Sequence, residues 1–352
     1  MQKQEQLHAA GRTAYLSLAN AIATVAVIYL HANGVFWSFS RSSQWLSANA
    51  IESICYFAVP VFFMITGANL MDYQDRYDLR TFFRKRIRKT LIPFVIWTAI
   101  AVPYHVYFLK DVPASKMNLL FLAHGMMTSS IVPPFWFFPA VFEVYLCLPL
   151  FASVPRGKRP RLFRYLLAAG FLINSLLPLL CQMIRSDLQM PLAVQAVSGA
   201  MFYAVAGYEI STEEISPRCR RAIYALGILG LALHMAGTQV LSLRDGSINQ
   251  LFKGYYNVPC VLYSIAVFTL LRQHGDRLMK GAAGRAVELF SRSSFAVYLL
   301  HWFVLNGIIQ LAHPDIYSLK FRLLVPIPVI LISLGLAFLI RRIPRIGRVL
   351  LP

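Results

Sequence analysis

Four histidines and two carboxylates stand inside stretches of sequence too apolar to hold them without a cause. His31 lies near the end of the first apolar stretch and Glu52 near the start of the second. At a 1.5 Å rise per residue His31 sits roughly 25 Å along its helix, and Glu52 shares that depth if the second helix returns. A carboxylate bonded to one imidazole nitrogen fixes the tautomer and leaves the other nitrogen free to act as a base. Spacing alone favours a plainer alternative, with His31 an interfacial residue near Trp37 and Glu52 a solvated helix start. His301 and Glu143 are further candidates, the latter near the middle of a stretch where an ionised carboxylate needs a partner or a proton. His105 and His234 read more simply, as hydrogen bonds to neighbouring helices. The run Arg84-Lys85-Arg86-Ile87-Arg88-Lys89 is the densest positive charge in the chain. Arg86 and Lys89 stand at i and i+3 on one helix face, where they would suit a phosphorylated ligand. The same run would serve equally as an orientation anchor.

The elements that must carry these residues are membrane helices. Of 352 residues, 57% are hydrophobic and only 14% charged, with a mean hydropathy of +0.57. A soluble domain carries about a quarter charged residues, so a soluble enzyme, a disordered chain and a disulfide scaffold are excluded. The apolar residues run in long blocks without alternation, which is helical-span patterning rather than a strand barrel. About ten spans are expected, near 14–37, 48–71, 90–109, 131–153, 162–181, 191–210, 220–242, 252–272, 294–312 and 321–340. The fold class is therefore all-α, a polytopic transmembrane bundle. Pro60, Pro93, Pro103, Pro139, Pro149, Pro178 and Pro259 should kink it and free carbonyls toward a polar interior.

The net charge of +19 would suggest nucleic acid in a soluble protein. Sorted by side, 26 of the 34 lysines and arginines fall on the side of the termini. The positive-inside rule then places both termini in the cytoplasm and accounts for the charge, so no nucleic-acid partner is expected. Loops are short, so residues 1–352 are expected to form a single transmembrane domain with no separate soluble one. The first span is expected to act as an uncleaved signal anchor. The five cysteines read as small buried apolar residues. No metal is expected, because no His or Cys pair stands at ligand spacing on one span.

Read in order, five landmarks resemble the acyltransferase 3 family of integral membrane acyltransferases, over almost the whole chain. The first span ends in Val-Ile-Tyr-Leu-His31. The second carries Val59-Pro60-Val61-Phe62-Phe63-Met64-Ile65-Thr66-Gly67. Then come the basic segment Phe82 to Pro93, the stretch Phe135-Trp136-Phe137-Phe138 with Tyr145 and Pro149, and Ser294-Phe295-Ala296-Val297-Tyr298-Leu299-Leu300-His301. Each piece is weak alone; the ordered set is specific. The layout is most similar to the stand-alone type, such as the enterobacterial common antigen O-acetyltransferase.

That resemblance implies a bacterial inner-membrane enzyme that moves an acyl group, usually acetyl, from cytosolic acyl-CoA to a glycan hydroxyl. Acyl-CoA, with acetyl-CoA the first expectation, would be a co-substrate, with no bound cofactor. The other partners would be a surface polysaccharide or lipid-linked glycan and the bilayer itself. His31 becomes the leading candidate for general base; Glu52, at equal depth, stays its candidate partner from the residues alone. Arg86 and Lys89 take the family's paired basic positions at the donor, and Trp136, Glu143 and His301 become pocket residues. The departures are specific. Members commonly carry a cation eleven residues before the histidine, where this chain has Asn20, and another where it has Tyr56. The histidine before the aromatic stretch is Pro134 here, and Lys89 lacks the fork of an arginine. Arg12 or the basic run would have to supply the missing charge. A glycan or lipid transporter, or an inactive member of the family, are the alternatives.

Overall fold

The computed structural model describes residues 2–184, 191–344 and 346–352, and of residues 2–13, 346 and 348 the backbone alone. Arg12 therefore lies outside the described side chains. The chain runs α1 (Gln2–Ala32), α2 (Ser43–Cys55), α3 (Ala58–Leu70), α4 (Leu79–Arg86), α5 (Ile92–Pro103), α6 (Leu119–Thr128) and α7 (Phe137–Ala152). It continues α8 (Arg159–Gly170), α9 (Leu177–Ile184), α10 (Gly199–Thr212), α11 (Pro217–Ala232), α12 (Thr238–Asp245) and α13 (Val258–Leu278). Then follow α14 (Gly281–Ala312), α15 (Leu319–Leu324), α16 (Pro326–Arg341) and α17 (Ile346–Leu350). Among the described residues there is no strand, so the all-α class holds.

Eight helical stretches are long and apolar enough to cross a membrane, among them Ala14–Ala32, Ser43–Asp75 and Gly281–Ala312. The sixth and eighth expected spans fall outside that set. α10 has 14 residues and is buried without break from Ala200 to Ile210, which makes it an interior helix. α13 has 21 residues, but Arg272, His274, Asp276 and Arg277 occupy its last turns.

Helix starts are set by short polar side chains that accept from backbone N–H groups left open in the first turn. Ser42 accepts from Trp45 N and Asp78 from Thr81 N. Hydrogen bonding by Thr81 holds the Asp78 carboxyl below its usual range. Several of the expected proline kinks take the form of π turns, in which backbone bonds reach back five residues. Ile92 N–H donates to Ile87 O immediately before Pro93, and a second π segment, Tyr104–Leu109, begins directly after Pro103. A third, Phe171–Leu176, ends two residues before Pro178. Proline removes one donor and the wider turn reassigns the carbonyl that donor would have served.

The helices gather into two compact units. The first comprises residues 1–72 and 147–292. Its centre is the packing of α3 on α10. A Cβ added to Gly67 would overlap Ala204 O, and one added to Gly207 would overlap Met64 O. The two backbones therefore touch where side chains would otherwise intervene. Arg159 is buried with all three guanidinium nitrogens engaged. It donates to Asp72 Oδ1 at 2.6 Å, Tyr208 OH at 2.9 Å, Ala152 O at 2.7 Å and Val154 O at 2.8 Å.

The second unit comprises residues 73–146 and 293–352. Its core is aromatic: Phe94, Trp97, Phe135 and Phe138 pack with Leu299 and Leu300 of α14. Trp97 Nε1 donates to Leu350 O at 3.0 Å, tying α5 to α17. Of the cysteines only Cys260 is buried, and Cys219 is exposed, which corrects the expectation for the set.

Candidate functional site

In the first unit, His31 sits in the last turn of α1 and is half-buried. Two residues on, Asn33 is fully buried. Its Nδ2 donates to Ala48 O at 2.9 Å and to Glu52 Oε2 at 3.3 Å. Glu52 is only 3% exposed, so it is not a solvated helix start. The equal depth expected for His31 and Glu52 is met through this amide, which joins the end of α1 to α2.

The stripe Asn49, Glu52, Ser53, Tyr56 follows helical spacing along one face of α2, and all four are buried. Asn49 Nδ2 donates to Met235 O at 2.9 Å. Met235 lies in another π segment, Leu233–Gly237, which also carries His234. The His234 ring lies 4.7 Å from Tyr56, and Tyr255 stacks on the same tyrosine at 4.3 Å. His234 is buried with both ring nitrogens outside any hydrogen bond among the described residues. The simple reading of His234 as an interhelical hydrogen bond is therefore not what the structure contains. His105, in the second unit, is hydrogen-bonded, but to loop groups rather than to a neighbouring helix: its nitrogens lie 2.8 Å from Asp111 Oδ1 and 2.7 Å from Ile131 O.

A cation that the sequence reading passed over belongs to this cluster. Lys253 is 2% exposed, with its Nζ 4.7 Å from the centroid of the Tyr56 ring and 4.2 Å from that of Phe36. The positive charge that the family resemblance expects at position 56 is thus present over Tyr56, delivered from the segment before α13. Within an expected span of 252–272 it counted only as a flanking charge. Its one signal was a lone lysine between Phe252 and the pair Tyr255-Tyr256.

Asn20, the other departure, is a tether. Its Nδ2 donates to Ser291 O and Ser291 Oγ, each at 3.0 Å, holding α1 to the start of α14.

In the second unit, Arg86 and Lys89 do not share a setting. Arg86 closes α4 half-buried, its guanidinium 5.7 Å from the Phe82 centroid and 5.5 Å from that of Tyr145. Its Nε is buried and makes no hydrogen bond among the described residues. Lys89 is exposed. Lys89 lies within the π segment Ile87–Leu91 that begins directly after Arg86, and its wider turn breaks the α-helical phase on which the shared face was based.

Trp136 ends a short 3-10 turn, half-buried, between two core residues of the motif, Phe135 and Phe138. Tyr298 OH donates to Pro134 O at 2.7 Å, docking the α14 motif on this turn. His301, one turn after Tyr298, is fully buried and donates from Nδ1 to the Tyr298 carbonyl. Glu143 is exposed on α7, so it is not a buried carboxylate in need of a partner.

An acyltransferase domain model matches residues 13–342, which is nearly the whole chain and runs through both units. The chain belongs to the acyltransferase 3 family. As a member of that family it is a multi-pass membrane acyltransferase. No curated protein and no solved structure gives a significant match.

Proposed function

We propose that this acyltransferase is a bacterial inner-membrane O-acyltransferase. It moves an acyl group, acetyl in the simplest case, from cytosolic acyl-CoA to a hydroxyl of a surface polysaccharide or lipid-linked glycan. Family membership over residues 13–342 carries the reading, together with His31 at the end of the first span. In this proposal both termini are cytoplasmic, as the charge distribution favours.

His31 acts as general base. As the acceptor oxygen attacks the thioester carbonyl, the imidazole takes the hydroxyl proton. The tetrahedral intermediate then expels CoA as thiolate, the carbon–sulfur bond breaks, and the imidazolium returns the proton to sulfur. A sugar hydroxyl is a poor nucleophile until that proton leaves, which is why a neutral imidazole suits the role. Glu52 and Asn33 hold the end of α1. Arg86 and Lys89 contact the phosphates of the donor, Arg86 as a partly buried fork and Lys89 as an exposed point charge. Asn20, Trp136 and His301 act through packing and tethering rather than by touching the reacting atoms.

Transfer of radiolabel from acetyl-CoA to extracted glycan tests the proposal, in membranes carrying the wild type or His31→Ala. Transfer by the wild type and its loss in a folded variant is the expected result. Transfer that survives His31→Ala removes His31 as the base, and no transfer from any acyl-CoA by the wild type overturns the activity itself.

A further inference from the structure

Lys253 has no part in the scheme above, and its burial needs a cause. The segment 251–257 reverses through Gly254, at φ +145°, and Asn257 Nδ2 donates back to Lys253 O at 2.8 Å. The lysine side chain then runs inward to the Phe36 and Tyr56 rings. Its Nζ is buried and reaches no acceptor among the described residues. An ammonium surrenders its hydration on burial, and two ring faces return only part of it. The remainder must come from a countercharge. Glu52, buried one turn before Tyr56 on α2, is the carboxylate whose charge acts on it; Cys260 and His234 are further ionisable groups within its field, with Tyr255 stacked on Tyr56.

We propose that Lys253 is a positioning residue. Its ammonium is the countercharge of Glu52, and through the Glu52–Asn33 bond it fixes the end of α1 that bears His31. The inference rests on the reading of His31 as the base. Without the lysine charge, a buried carboxylate is left uncompensated and takes up a proton. The amide bond it accepts from Asn33 then changes from charge-assisted to neutral and weakens, and the last turn of α1 loses its anchor.

Infrared spectra of the purified full-length protein in nanodiscs read the charge of Glu52 directly. Lys253→Met should gain a protonated-carboxyl stretch that Lys253→Arg lacks and that Glu52→Gln/Lys253→Met abolishes. In the transfer assay with acetyl-CoA and extracted glycan, Lys253→Met should lower kcat on the order of 10- to 100-fold. The KM for acetyl-CoA should not move, and Lys253→Arg should restore most of the rate. If Lys253→Met fails to fold while the double variant folds, the countercharge is established by that contrast, because removing both charges relieves what removing one creates. A folded Lys253→Met with no new stretch, or with unchanged kcat, overturns the proposal. A wild type without transfer would sink the His31 reading alone, since the infrared comparison still decides the charge pairing.

Discussion

Asn33 holds the Glu52 carboxylate at 3.3 Å while the same amide nitrogen lies 2.9 Å from the Ala48 carbonyl. One buried side chain thus links the helix end that carries His31 to two points, one turn apart, on α2. Asn33→Leu leaves both acceptors without this donor. The expected loss is about 1–3 kcal/mol, the cost of leaving the buried Glu52 carboxylate short of a donor, since Ala48 O keeps its place in the α2 ladder. Thermal unfolding in detergent measures it. An unfolding midpoint equal to that of the wild type would show that the amide is not the link.

Arg86 and Lys89 should separate in their consequences. Arg86→Ala loses the contacts of its guanidinium with Phe82 and Tyr145, worth about 0.5–2 kcal/mol of stability. Lys89→Ala, exposed, should stay within about 0.5 kcal/mol. Both should raise the KM for acyl-CoA if both meet donor phosphates. The check is a pair of measurements on each variant, unfolding and donor saturation. Equal stability losses would contradict the different settings of the two residues.

Arg159 is a stricter test of buried charge. Its partners Asp72, Tyr208, Ala152 and Val154 engage all three guanidinium nitrogens. Asp72→Asn should cost about 3–5 kcal/mol, because it leaves the cation uncompensated. Arg159→Lys should lose stability as well, since an ammonium cannot make the same set of directed bonds. Expression level and unfolding temperature report both, and a lysine variant as stable as the wild type would refute the geometric claim.

Gly207→Ala should destabilise by about 1–3 kcal/mol, as overpacking at a close helix contact does. The added carbon would overlap the Met64 carbonyl oxygen. Gly335→Ala is the control, because a Cβ there meets nothing within 4 Å. Comparable losses at the two positions would mean that the contact of α3 with α10 can part freely.

The helical class was legible because each apolar block is long and unbroken, a property of composition that packing does not alter. The positions of His31 and Glu52 were legible for the same reason, since rise per residue fixes depth. The link between them was not, because an asparagine two residues past a histidine has no pattern of its own. The shared face of Arg86 and Lys89 was inferred from an α-helical phase that Ile87–Leu91 does not keep. π turns leave little trace in periodicity, although a nearby proline marks three of those in this chain. α10 has 14 residues where a span of about 20 was expected, because hydropathy marks an apolar run without marking where the helix within it starts. Lys253 was the largest omission. A charge next to an apolar block reads as a flank, and only the turn at Gly254 carries it inward.

The glycine contact between α3 and α10 also limits how the first unit can move. With backbone against backbone there is no layer of side chains to slide or repack, so the two helices rotate and translate as one rod. Any rearrangement that admits a substrate must leave that rod intact and be taken up where elements join it by loops. Segment 251–257, which joins α12 to α13, is itself fastened to the rod where Tyr203 of α10 donates to Tyr255 O, so Lys253 travels with it.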